Sequence, residues 1–148
     1  KTTVQFLTSI LPNVHFFDAS AFLLKSYPLL VQSDLPATVC IGVKPDFCLL
    51  SLYVQKQLVH HQVYPECTSV DILFYVQQVL LYYNVGAEEC QFYLHGETTE
   101  LQQLFTLMTA YFPQVKFCPR VGNMEFPEGI YSQPSHYFFN LFSLATCE

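Results

Sequence analysis

Charged residues are scarce: they make up 12% of the 148-residue chain, against roughly 25% in an average soluble domain. Tryptophan is absent and glycine occurs five times. The six cations (Lys1, Lys25, Lys44, Lys56, Lys116, Arg120) never cluster and the net charge is −6, which argues against a nucleic-acid partner. Polar residues interrupt every apolar stretch before it reaches 18 residues, so no transmembrane segment is expected. No two cysteines form CxxC. No Walker-type phosphate loop is present, because Lys44 follows a single glycine and precedes proline. What remains is 51% hydrophobic and includes 14 Phe and 10 Tyr, which excludes intrinsic disorder and assures a packed core. With so little charge to cover the surface, a partner or a further part of the polypeptide is expected to bury some of it.

Four of the six cysteines lie in apolar strand-like runs, where each reads as a small buried hydrophobe. Reducing, cytoplasmic surroundings fit this usage. Lys1, the run Val4-Gln5-Phe6-Leu7 and Ala19-Ser20-Ala21 loosely imitate a signal peptide, but Gln5, Thr8, Ser9, Pro12 and Asn13 break the apolar region. The missing initiator Met leads instead to the expectation of an excised or processed piece.

The spacing of Val4, Leu7, Ile10 and Leu11 predicts a helix stopped by Pro12-Asn13, followed by a short strand at 14–17. Ser20 is expected to cap a helix over 21–30, with Pro28 in its last turn. After the connector 33–36 the period changes to two. Strands are expected at 38–43, 47–54 and 58–64, and the short turns between them leave room only for an antiparallel meander. Thr68-Ser69-Val70-Asp71 opens a helix to about Tyr83, expected to be heavily buried. A strand at 90–95, an amphipathic helix ended by Pro113, a short strand at 115–118, a long loop at 119–133 and a last helix with Phe138, Leu141, Phe142 and Ala145 on one face complete the chain.

From residue 38 this order predicts an α/β domain, a mixed five-stranded sheet of order 3-2-1-4-5 with helices on both faces, which is ribonuclease H-like topology. Ligands of open α/β sheets sit beyond the carboxyl ends of strands where the order switches. Here that point lies between the first and fourth strands and is served by Gly42 to Asp46 and His95 to Thr98.

Thr38-Val39-Cys40-Ile41-Gly42 resembles the strand that opens the second lobe of actin-like ATPases, and Leu94-His95-Gly96-Glu97 resembles their adenosine motif. Residues 11–22 resemble the end of the first lobe in pilus-assembly relatives. The chain as a whole is similar to an uncharacterised bacterial family of unknown function with an actin-like ATPase fold, whose chains finish much like residues 142–148. The resemblance implies that residues 1–30 end a preceding lobe, that 38–148 form the second lobe, and that an amino-terminal lobe of the same protein is a partner. It also implies apolar surface concentrated on residues 1–30. Nucleotide-binding candidates under this resemblance are Gly42, Lys44, Asp46, His95, Gly96, Glu97 and Thr98.

The motifs depart from the family pattern. An Asp-x-Gly turn would use its carboxylate to hold metal-bound water, and here Cys40 stands in the aspartate's place. The adenosine motif's paired glycines are reduced to Gly96. Gly42 and Gly96 read equally as residues permitting tight strand-end turns. The expectation is therefore a non-catalytic interaction or scaffold module with no cofactor, no metal and no catalytic residue, with another protein as a second candidate partner. The alternative is a weak ATP-binding protein or ATPase that uses ATP and Mg and needs the first lobe.

Other chemistry is less well served. A two-metal nuclease needs carboxylates on the first and fourth strands, which have none; Asp46 reads as a turn former. His60 and His61 are adjacent in a strand and point to opposite faces. His15, His95 and His136 stand alone, whereas zinc needs three or four ligands. Cys40 and His95, on neighbouring strands, offer a nucleophile and a base, although an apolar strand favours an inert thiol. Glu88-Glu89, Glu97 and Glu100 read as solvated helix-edge charges.

Overall fold

The computed structural model describes residues 2–11, 13, 14, 16, 19–31, 34–97, 99–120 and 128–144. Helix α1, Thr3–Ile10, starts with a capping box in which the Thr2 hydroxyl accepts from the Gln5 N–H and Gln5 returns to the Thr2 backbone. It buries no residue: Val4, Phe6 and Ile10, with Leu11 beyond its end, are all more than half exposed. Of the strand expected at 14–17, Val14 and Phe16 belong to no strand, and His15 and Phe17 lie outside the described residues. Helix α2, Ala19–Leu30, begins earlier than expected, so Ser20 lies inside it and is not its cap; Pro28 sits in the last turn.

The sheet comprises β1 (Ala37–Val43), β2 (Phe47–Val54), β3 (Gln57–Pro65), β4 (Cys90–Gly96) and β5 (Val115–Phe117) in the order β3-β2-β1-β4-β5. The pairs β1·β2 and β2·β3 are antiparallel, and β1·β4 and β4·β5 are parallel. Every residue of β1 is buried, as its unbroken apolar run requires of a central strand covered on both faces. The edge strand β3 is mostly exposed or half-buried.

Helices α3 (Ser69–Tyr82) and α4 (Glu100–Tyr111) cover one face. Ile72, Val76 and Leu80 of α3 and Leu101, Leu104 and Met108 of α4 pack there on Val39, Ile41, Leu50, Phe92 and Leu94. A capping box of Thr68 and Asp71 starts α3, as its sequence predicts. The expectation that α3 is heavily buried needs correction. Val70, Phe74, Leu81 and Tyr82 are more than half exposed, because only one stripe of a helix lying on a sheet can touch it.

On the opposite face, Leu23, Tyr27 and Leu30 of α2 and Phe139 and Phe142 of the last helix pack on Cys40, Leu49 and Tyr53. Residues 1–30 thus divide into a helix that buries nothing and a helix built into this core. Exposed apolar surface extends beyond them to Leu58, Val63, Tyr111 and the outer face of α3. One helical turn, α5 (Glu128–Tyr131), interrupts the expected loop 119–133. The last helix, α6 (Phe139–Leu144), is preceded by turns at 135–138, so Phe138 lies before it, and Ala145 lies outside the described residues.

Candidate functional site

The parallel pairing of β1 with β4 sets Gly42 opposite His95 and Val43 opposite Gly96. Period two then sends Thr38, Cys40 and Gly42 toward the α2/α6 face with Gln91, Tyr93 and His95. His95 is 1% exposed. Its ring lies 4.7 Å from that of Phe139 and 5.7 Å from that of Tyr27. Burial, followed by the nearby Lys44 ammonium and His136, pushes the His95 imidazole down to about 3, so it is neutral. Burial likewise keeps the Tyr27 phenol protonated. The Tyr27 hydroxyl and His95 Nε2 share a hydrogen bond at 2.7 Å, and Nδ1 has no hydrogen-bond partner among the described residues.

Gly42 is flush against this imidazole. A Cβ added there would stand 2.6 Å from His95 Cε1 and 2.8 Å from Nε2. Gly96 has φ +148°, a region that favours glycine, and its missing Cβ would collide with the Val43 carbonyl oxygen. The Gly96 N–H donates to His136 O at 3.2 Å. Beyond the strand ends, Lys44 Nζ and Glu97 Oε1 form an ion pair at 3.6 Å with both side chains partly in solvent, worth little to stability. Asp46 is exposed at the turn, and its carbonyl accepts from the Glu66 N–H at 2.8 Å, toward β3 and away from β4. Gly42, Lys44, His95, Gly96 and Glu97 therefore meet at one place, Asp46 is exposed in the turn that follows Lys44, and Thr98 lies outside the described residues.

Cys40 is fully buried in a cluster with Tyr27, Tyr53 and Cys118, and burial raises its thiol above the usual cysteine range. His95 Nε2 bonds to Tyr27 and Nδ1 has no hydrogen-bond partner among the described residues, so the disfavoured pairing of Cys40 with His95 as nucleophile and base is not formed. His60 and His61 do point to opposite faces: His60 Nε2 lies 3.4 Å from the Tyr64 hydroxyl and its ring edges onto Tyr83, whereas His61 Nδ1 lies 2.8 Å from the Ser51 hydroxyl. Among the described residues no three His, Cys, Asp or Glu side chains converge to hold a metal ion. No helix among them is long and apolar enough to cross a membrane.

Two hollows accompany this geometry. One, of about 330 Å³, is lined by Thr99, Leu101, Gln102, Pro134, His136 and Tyr137 and adjoins the Gly96 end of β4. The other, of about 580 Å³, includes Leu30, Asp34, Gln91, Tyr93 and Lys116. It lies toward the opposite end of β4 and shares no residue with the strand-end cluster. Sequence reasoning missed Tyr27, because α2 was assigned to another lobe. Its signal is the spacing of Leu23, Ser26, Tyr27 and Leu30, all buried on one face of that helix.

The meander, the parallel crossover strands and the helices on both faces give the chain an actin-like fold. A solved Bacteroides thetaiotaomicron protein with actin-like ATPase fold and unknown function matches 99% of this chain with a TM-score of 0.78 at 17% identity. Residues 1–115 match the model of DUF3822, and the chain belongs to this family of proteins of unknown function. It spans about half the length of the Bacteroides protein, 51% of that chain. Archaeoglobus fulgidus Pelota aligns with a TM-score of only 0.38 at 12% identity, over 83% of this chain and 39% of its own, too distant to bear on the fold. No curated protein sequence matches the chain.

Proposed function

We propose that the chain is the second lobe of an actin-like protein and acts as a non-catalytic interaction or scaffold module. The observation that carries this reading is Cys40. It occupies the place where the actin-like resemblance expects a carboxylate, and it is enclosed with Tyr27, Tyr53 and Cys118, which bring no carboxylate to hold metal-bound water. Gly42, the expected point of approach for phosphate, faces the His95 ring. These residues do not fit a magnesium-bound nucleotide.

The apolar face of α1 and the twofold length of the Bacteroides protein support an amino-terminal lobe of the same polypeptide as the partner of this surface. The unpaired thiols of Cys40, Cys48, Cys67, Cys90 and Cys118 suit a reducing, cytoplasmic setting. One observation favours the alternative of weak ATP binding: the hollow beside Gly96 adjoins the position of the adenosine motif. Calorimetric titration of the complete two-lobe polypeptide with ATP and magnesium distinguishes the readings. No binding heat is expected, and micromolar affinity would overturn the scaffold reading.

A further inference from the structure

Two cysteines that stand 19 residues apart in sequence meet in space. Cys48, near the start of β2, is fully buried, and its sulfur lies 3.6 Å from that of Cys67. Cys48 pairs in register with Tyr64 on β3, and the chain then turns through Glu66, whose φ is +48°, bringing Cys67 back beside β2. Cys67 Sγ also contacts the Tyr64 and Pro65 carbonyls at 3.2 and 3.4 Å. It is the one described cysteine that is not buried; Cys40, Cys48, Cys90 and Cys118 all are. The pair therefore combines a thiol that a solute can reach with a second thiol directly behind it, the arrangement of a reactive cysteine and its resolving partner.

We infer that Cys48 and Cys67 form a reversible intramolecular disulfide when the protein meets hydrogen peroxide. The Cys67 thiolate attacks one peroxide oxygen and the O–O bond breaks, giving Cys67 sulfenic acid and, with the thiol's proton, one water. The Cys48 sulfur then attacks the Cys67 sulfur. The S–S bond forms, the S–O bond breaks, and the departing hydroxide takes the Cys48 proton as a second water. Two thiols are oxidised and one peroxide is reduced. A dithiol reverses the step by exchange.

The sulfurs must close to roughly 2.05 Å, a movement of about 1.5 Å that the half-exposed turn at Cys67 can supply. Burial and the adjacent Cys67 sulfur push the Cys48 thiol upward, so it stays protonated until its neighbour becomes an electrophile. The bond would fasten β2 to the turn that leads into α3. The same turn holds the Asp46 carbonyl through the Glu66 N–H, so oxidation would also stiffen the link between β1 and β2.

The test treats the reduced, native full-length protein with hydrogen peroxide, blocks remaining thiols with iodoacetamide and maps peptides without reduction. The expected product is a linked Cys48–Cys67 peptide pair about 2 Da lighter than its two thiols, restored by dithiothreitol and absent in Cys67→Ser. Cys40, Cys90 and Cys118 should resist both reagents until the protein is denatured. Oxidation of Cys67 to sulfinic acid with Cys48 still a thiol, or a Cys67 disulfide to any other cysteine, overturns the inference.

Discussion

The buried imidazole of His95 makes a quantitative prediction about pH. Its pKa is about 3 in the folded chain against an ordinary 6.5, so the unfolded state binds the proton first. Stability is then fully present above pH 6.5 and declines as pH falls toward 3, by up to about 1.4 kcal/mol per pH unit. At pH 7 the unfolded imidazole is about one-quarter protonated, and at pH 5 almost wholly so, whereas the folded imidazole is neutral at both. The difference amounts to a loss of about 2 kcal/mol between pH 7 and pH 5. Because pH 5 lies well above the folded value, the unfolded imidazole governs this magnitude. Urea denaturation followed by far-ultraviolet circular dichroism at the two pH values measures it, with His95→Gln as reference. His60, His136 and the carboxylates titrate in both proteins, so the extra loss of about 2 kcal/mol in the unsubstituted chain isolates His95. Equal pH dependence in the two proteins would refute the buried, neutral imidazole.

The strand-end glycines should respond unequally to alanine. Gly42→Ala forces the His95 ring against Tyr27 and Phe139 and should cost about 1–3 kcal/mol by overpacking. Gly96→Ala adds backbone strain at φ +148° to a collision with the Val43 carbonyl and should cost at least about 3 kcal/mol. Gly129→Ala, with nothing within 4 Å of the new methyl, is the control, expected to be neutral or stabilising by up to about 1 kcal/mol; urea midpoints rank all three. Thr68→Ala removes the hydroxyl that accepts from the Asp71 N–H at 3.3 Å and should lower stability by about 1 kcal/mol. Thr68→Ser, which keeps that acceptor, should restore most of the loss in the same assay.

The strand order was legible because the turns speak plainly. Lys44-Pro45-Asp46 and Gln55-Lys56-Gln57 are too short for a crossover, so β1, β2 and β3 had to pair antiparallel, and the helical segments between the later strands then required parallel pairing. The start of α3 was legible for a local reason too, since Thr68 and Asp71 satisfy each other's backbone groups within four residues. Periodicity indicates which side chains share a face but not what covers that face. It gave no sign that α2 brings Tyr27 to His95, 68 residues away. The outer face of α3 misled because Val70, Phe74, Leu81 and Tyr82 are apolar without being buried. The contact of Cys48 with Cys67 depends on the β3 register and on the positive φ of Glu66, neither of which a spacing of 19 residues displays.

The same geometry gives both strand-end glycines a structural role of their own. In a phosphate site, glycine lets backbone amides approach an anion. At Gly42 the space left by the missing side chain is taken by the His95 imidazole, and at Gly96 it is taken by the Val43 carbonyl. Each glycine is thus required by a neighbour within the lobe, whether or not a ligand arrives. Position 40 carries no comparable constraint toward a carboxylate. Its side chain points into a cluster with Leu23, Tyr27, Tyr53 and Cys118, where an unpaired aspartate would be costly to bury and a thiol packs as a small hydrophobe. Packing alone therefore accounts for both glycines, so their presence does not by itself indicate a bound phosphate.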